Sequence, residues 1–328
     1  MNVNNLLSKR ILIIFFTISF LLILILLAGC NKKLNNKNES INYKLVNEKG
    51  INSMFMKTDQ SKLTFYLQIS PDIIKSYPAL FTIFMNGRQI QCLWDDNIKF
   101  SDVFLTTIDP KKVKKIKITI DNIPKGLNTM QFGMVYFPNK TDFKEENLYN
   151  RKYSLDLTSF TIVRNDNMNW AEESRFKNYE QPLLNKKMPV GSRGELSLVK
   201  DEISYDLISD INQNKKMYYY WQNSDKRIRK VRFSLLRDWK QIPWPSGELF
   251  IDVSVNPGDI FYKEILLSKI INNKTNQISI IAFMDPDKSF WYWDKNKTND
   301  LKATHYGAQA NSTLRNIFVS NSLEVISE

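Results

Sequence analysis

From Tyr43 onward the apolar residues fall in short runs rich in Ile, Val, Phe, Tyr and Thr, and Pro, Gly, Asn and Asp punctuate them at close spacing. Runs so short and so β-branched do not supply the long apolar stripe of a helix, and helical patterns do not alternate with them. The chain therefore reads as all-β, a sandwich and not a series of βαβ units. Strands are expected at 63–69, 80–85, 101–107, 113–120, 130–137 and 153–163 in one half, and at 217–222, 231–236, 249–255, 262–271, 278–283, 290–293 and 317–319 in the other. Short helices are expected only at 169–179 and 205–212.

The two halves match each other in order. Lys62-Leu63-Thr64-Phe65-Tyr66-Leu67-Gln68-Ile69-Ser70 aligns with Lys216-Met217-Tyr218-Tyr219-Tyr220-Trp221-Gln222-Asn223-Ser224. Phe81-Thr82-Ile83-Phe84, with Gln89 behind it, aligns with Phe233-Ser234-Leu235-Leu236 and Gln241. Asp102-Val103 then aligns with Asp252-Val253, and Pro138 with Pro286. The separations drift only from 154 through 152 and 150 to 148 positions, as a few loop deletions would produce. The expected architecture is two tandem, duplicated sandwiches at 41–165 and 200–328, joined by a polar linker at 166–199. In size and strand count each resembles immunoglobulin or fibronectin type III modules, without their Cys-Trp-Cys core.

The first residues carry a separate message. Lys9 and Arg10 precede a long, uncharged and mainly apolar run, which ends in Leu27-Ala28-Gly29-Cys30. This is the outline of a signal peptide, and Leu27-Ala28-Gly29-Cys30 resembles the lipobox of bacterial lipoproteins. That resemblance covers residues 1–30 only. It implies a diacylglycerol on the Cys30 sulfur, cleavage after Gly29, and a protein held on the outer face of a cell membrane; two acyl chains anchor durably where one does not. Residues 30–40 carry almost no apolar side chains and read as a flexible tether. Losing Lys9 and Arg10 takes the formal charge of the whole chain from +12 to +10, so the mature part is basic in its own right and is drawn to anionic headgroups or wall polymers. The Lys and Asn usage fits an AT-rich, Gram-positive genome. The compartment and the lack of any recognition motif exclude nucleic acid as a partner.

The chemistry legible in the residues is sparse. His305 is the single histidine, which excludes a histidine-based zinc site, and no nucleophile elbow, phosphate loop or dinucleotide fingerprint occurs among only ten glycines. No metal or cofactor is expected. Carboxylates pair at Asp95-Asp96 and at Asp285-Pro286-Asp287, with Asp294 nearby; a carboxylate-dependent hydrolase would use the latter group, although Asp-Pro-Asp is foremost a turn sequence. Cys92, in a strand with Ile90 and Trp94, is expected to be a buried, inert thiol. Five of the seven Trp residues lie in the second half, with Tyr218-Tyr219-Tyr220-Trp221 and Phe290-Trp291-Tyr292-Trp293 as clusters. Strand alternation sends one side chain of each pair to the far face, so Tyr218, Tyr220, Trp291 and Trp293 are the candidate binding residues, as platforms for sugar rings or a protein partner. The functional expectation is a non-enzymatic, membrane-anchored lipoprotein that binds or supports structure at the cell envelope, through an envelope protein or a wall glycan.

Overall fold

Alternation of apolar and polar side chains builds the outer sheets of this protein, and strands buried on both faces build the centre of the inner ones. The computed structural model describes residues 40–47, 55–136 apart from 96, 155–165, 216–269 and 276–286, short stretches between 169 and 210, and residues 291–292, 304–305, 317–320 and 323–326. Residues from Ile41 onward form one unit.

Its first half runs through β1 (Ser40–Val46), β2 (Phe55–Thr58), β3 (Leu63–Asp72), β4 (Tyr77–Met85), β5 (Arg88–Gln89), β6 (Leu93–Trp94), β7 (Val103–Ile108), β8 (Lys114–Ile120), β9 (Gly126–Tyr136) and β10 (Leu155–Arg164). One sheet has the order β1-β3-β8-β6; the other has β2-β10-β9-β4-β5, with β7 beside β4. Between them lies a core of Phe65, Leu67 and Ile69 from β3, Ile116, Ile118 and Ile120 from β8, and Phe81, Ile83, Phe132, Met134, Phe160 and Ile162 from the facing sheet. The remaining side chains of β3 (Thr64, Tyr66, Gln68) stay half-buried on the other face, as the two-residue period dictates.

The second half repeats this wiring with β11 (Lys177–Asn178), β12 (Glu195–Ser197), β13 (Ile208–Asp210), β14 (Lys216–Gln222), β15 (Arg229–Arg237), β16 (Lys240–Ile242), β17 (Ile251–Val255), β18 (Ile260–Leu266), β19 (Asn276–Met284), β20 (Trp291–Tyr292), β21 (Thr304–His305), β22 (Ile317–Val319) and β23 (Leu323–Ile326). Here β15 takes the place of β4: it pairs with β16, β17 and β19 as β4 pairs with β5, β7 and β9. Likewise β14 and β18 stand for β3 and β8, and a parallel edge strand closes each large sheet, β2 on β10 and β13 on β23. Phe81 and Phe233 thus occupy equivalent strands, as do Gln89 and Gln241.

Three expectations need correction. Asp102 and Asp252 are not equivalent: Phe81 lies opposite Phe104, but Phe233 lies opposite Ile251, so Asp252, opposite Arg232, corresponds to Leu105, opposite Leu80. The helix expected at 205–212 is strand where it is described, with Ile208 paired to Glu324 in parallel. Likewise 177–178 is strand, paired with β17, and β12 pairs with β14. The sequence 90–94 is not one strand either. A bridge from Cys92 to Ser101 carries the chain from β5 in one sheet to β6 in the other.

The central strands β4 and β15 are buried on both faces. Phe81, Ile83 and Met85 fill one sandwich core and Val231, Phe233 and Leu235 the other. The opposite faces, Leu80 and Phe84 with Val135 and Leu155, meet Leu236, Trp239, Ile281 and Phe283 in a single apolar cluster between the two sandwiches. The sandwiches are therefore stacked sheet on sheet.

Polar contacts fix the register of this stack. The Gln89 N–H donates to Gln241 Oε1 at 2.8 Å, and the Gln241 N–H donates to Gln89 Oε1 at 2.7 Å. Each amide then donates to the hydroxyl of its own central strand, Gln89 to Thr82 at 2.7 Å and Gln241 to Ser234 at 3.1 Å. This reciprocity marks a local twofold relation between the halves. Both hairpin turns beside it use left-handed backbone, Asn86-Gly87 (φ 53° and 82°) and Asp238-Trp239 (φ 50° and 64°), the conformation of a two-residue turn that matches strand twist. The turn after β4 lies against Arg232 and Ser234 in mid-β15, while Trp239 packs in the cluster with Leu80 and Phe84. The two central strands consequently run in opposite senses, and the loop ends of the two sandwiches form opposite poles.

Candidate functional surfaces

The aromatic strand β14 divides as alternation requires. Met217, Tyr219 and Trp221 enter the second core, where Tyr219 and Trp221 meet Phe233 edge-on at 5.5 and 5.8 Å between centroids. Tyr218 and Tyr220 go to the far face with Tyr262 and Ile260. Tyr218 is half-buried and stacks on Tyr262 at 6.2 Å. Tyr220 is fully buried, 5.3 Å from the same ring, so it offers no open platform. Behind them Tyr179 closes the edge of β18: its hydroxyl accepts from the Tyr262 N–H at 2.8 Å and donates to the Tyr262 carbonyl at 3.3 Å. Burial pushes the Tyr179 phenol upward, offset in part by that backbone bond and reinforced by the charge of Asp259.

Trp291 lies in β20, opposite His305 of β21. The side chains of Trp291 and His305, and all of Cys30, Trp293, Asp287, Asp294 and Asp96, lie outside the described residues. Asp95 is an exposed turn residue with φ 52°. Asp285 is 2% exposed, and its carboxylate is held by Arg227 at 3.3 Å and by Arg229, itself buried and also bound to Asp225. Its own N–H donates to the Lys230 carbonyl at 2.6 Å. Two guanidinium groups thus saturate the one candidate carboxylate of the 285–294 group that is described. Cys92 is buried beside Trp94, whose ring stacks on Phe104 at 5.5 Å. Desolvation, with a smaller contribution from the charge of Asp102, pushes the Cys92 thiol far above the usual range. Among the described residues no group of His, Cys, Asp and Glu is placed to hold a metal.

Two features escaped the sequence reading. One is the charge network across the sandwich interface: Arg232 binds Asp252 through two nitrogens at 2.8 and 2.7 Å, donates to the Asn86 carbonyl at 2.6 Å, and stacks over Phe250 at 4.2 Å, with Arg88 on the same ring at 5.7 Å. No sequence signal links Arg232 to Asn86, which is 146 positions away. The other is the pole of the first sandwich, where Ile74 and Val113 are 70% and 59% exposed amid lysines. The run Lys111-Lys112-Val113-Lys114-Lys115 was a visible signal for it.

The fold and these surfaces define a tandem protein of immunoglobulin-like β-sandwiches. No family model matches the chain, and no curated protein matches it significantly. It is similar to the CARDB domain of a Pyrococcus furiosus protein (7% identity, TM-score 0.25, 38% of this chain and 88% of that one). It is similar also to a Caenorhabditis elegans MSP family member (8%, 0.22, 38% and 96%) and to red sea bream transglutaminase (8%, 0.22, 88% and 31%).

Proposed function

We propose that this protein is exported, anchored through a lipid on Cys30 to the extracytoplasmic face of the cell membrane, and acts there without catalysis, as a binding or structural component of the envelope. The observation that carries the reading is the filled junction between the sandwiches. Apolar packing and the reciprocal Gln89–Gln241 contacts occupy the space between the domains, where a two-lobed binding protein or hydrolase would keep its cleft. What such a fused pair offers is its outer surface and its stiffness. Asp285, the described member of the acid group, is committed to Arg227 and Arg229.

A second reading, wall-glycan binding, draws on Tyr218, half-buried and stacked on Tyr262 on the far face of β14, together with Trp291 and Trp293. One experiment addresses both. In the source bacterium, the wild type is expected in the membrane fraction, with the acylated Cys30 peptide as the mature N-terminus by mass spectrometry; Cys30→Ser is expected to remain unprocessed or to appear in the medium. An unmodified Cys30 in the mature wild type refutes the anchor. If Trp291→Ala, at an unchanged melting temperature, is retained on purified wall as well as the wild type, the glycan reading falls.

A further inference from the structure

We infer that the pole of the first sandwich, formed by Ile74, Lys75 and Pro110-Lys111-Lys112-Val113, rests on the anionic lipid headgroups of the membrane. Its two loops leave the same end of the sandwich, since Tyr77 lies opposite Ile108 and Ile69 opposite Lys114. The Ser76 hydroxyl ties them together by donating to Asp109 at 2.9 Å. Two exposed aliphatic side chains at the apex, flanked by Lys75, Lys111, Lys112 and Lys115 against Asp72 and the engaged Asp109, make the chemical pattern of a surface that meets headgroups with its cations and the acyl boundary with its apolar tips.

The second half supplies an internal comparison. Where the first half has Asp109-Pro110-Lys111-Lys112-Val113 between its strands, the second has Asn256-Pro257-Gly258-Asp259. Lys111 holds φ 55° at the turn position that Gly258 fills at φ 82°. A turn with left-handed backbone after proline favours glycine, so folding alone does not select lysine there. In the loop before β15 the two arginines, Arg227 and Arg229, pair with Asp285 and Asp225, while Lys226 stays exposed. Among the described residues no ion pair engages Lys111 or Lys112. β1 lies in the sandwich that carries this pole, and the membrane meant is the one proposed for the Cys30 anchor. The inference rests on that reading for its biological setting, but its test does not use the anchor.

The test uses the chain from Asn31 to Glu328, which contains every described sheet and core and lacks Cys30. Binding is measured by co-sedimentation with vesicles of phosphatidylglycerol and phosphatidylcholine at about 1:2, at low and high salt. Each lysine near an anionic surface contributes on the order of a fivefold factor, so Lys111→Gln/Lys112→Gln is expected to lower partitioning about 30-fold. Ile74→Ser/Val113→Ser is expected to lower it several-fold with little change in salt dependence, and Lys125→Gln/Lys226→Gln, exposed in loops at the other pole, by less than about twofold. All these residues except Ile74 and Val113 are polar, and all are exposed, so melting temperatures should hold. The inference is overturned if the wild type ignores anionic vesicles or if the distant pair matters as much as Lys111 and Lys112. It is overturned equally if a soluble poly(glycerol phosphate) binds more tightly than vesicles while Ile74→Ser/Val113→Ser has no effect, which would assign the pole to a wall polymer.

Discussion

Replacing Gln89 by alanine should destabilise both sandwiches at once. The Gln89 side chain accepts from the Gln241 N–H at 2.7 Å and donates to the Thr82 hydroxyl at 2.7 Å and to the Trp239 carbonyl at 3.0 Å. A hydrogen bond contributes about 1 kcal/mol net, and a partly buried N–H left without a partner costs about 1–3 kcal/mol, so the three losses amount to about 3 kcal/mol. Gln241→Ala removes the acceptor of the Gln89 N–H at 2.8 Å and the donor to Ser234 at 3.1 Å, for about 2–3 kcal/mol. The twofold relation therefore predicts nearly equal effects from residues in different halves. Urea unfolding followed by Trp fluorescence and by circular dichroism is expected to give one transition, shifted alike by either substitution. The reasoning fails if either variant moves the midpoint by less than about 0.5 kcal/mol equivalent, or if two transitions appear and each substitution moves only one.

Two further outcomes follow from buried groups. Asp285→Asn leaves the buried Arg229 with Asp225 as its one carboxylate partner among the described residues and should cost about 1.5–3 kcal/mol by denaturant titration; a loss below about 0.5 kcal/mol would show that the network is not stabilising. Because burial raises the Cys92 thiol in the folded state, the unfolded chain ionises first as pH climbs past the ordinary value of 9.0. The folded state then loses up to about 1.4 kcal/mol per pH unit, and Cys92→Ala should flatten that part of the stability profile. The same burial predicts alkylation of Cys92 only after unfolding, so rapid labelling of the native protein by iodoacetamide would contradict it.

Much of the fold was legible because the strongest sequence signals sit where burial is most complete. Phe81-Thr82-Ile83-Phe84 and Phe233-Ser234-Leu235-Leu236 resemble each other because β4 and β15 are each covered on both sides, which constrains every position and not alternate ones. The sequence match at this spacing included Gln89 and Gln241, which meet at the twofold relation, but similarity carries no information about contact. The Asp102 and Asp252 match misled for the converse reason: one aspartate gives only its backbone carbonyl to Thr82 at 3.0 Å, while the other binds Arg232 through its carboxylate. Of the shortest strands, β22 was legible at 317–319, but β5, β6 and β13 were not, since a neighbour's pairing defines them and their own pattern does not. Alternation placed Tyr218 and Tyr220 together correctly, but periodicity alone does not reveal that Tyr220 is covered.

The asymmetry at the junction explains why two such similar halves need each other. At one turn stands Gly87, and a Cβ there would lie 2.6 Å from the Arg232 side chain, so the absent side chain is what lets Arg232 reach the Asn86 carbonyl and Asp252. At the equivalent turn stands Trp239, held at φ 64° at a cost of about 1–2 kcal/mol and packed in the cluster that contains Leu80, the counterpart of Arg232. Gly87 is thus matched to Arg232, and Trp239 to Leu80. A pair made of two first halves would set Gly87 against Leu80 and leave a void; a pair of two second halves would press Trp239 onto a guanidinium that also needs Asp252. Each half carries the complement of the other, and this fixes the junction as a heterologous, permanent contact despite its near-twofold form.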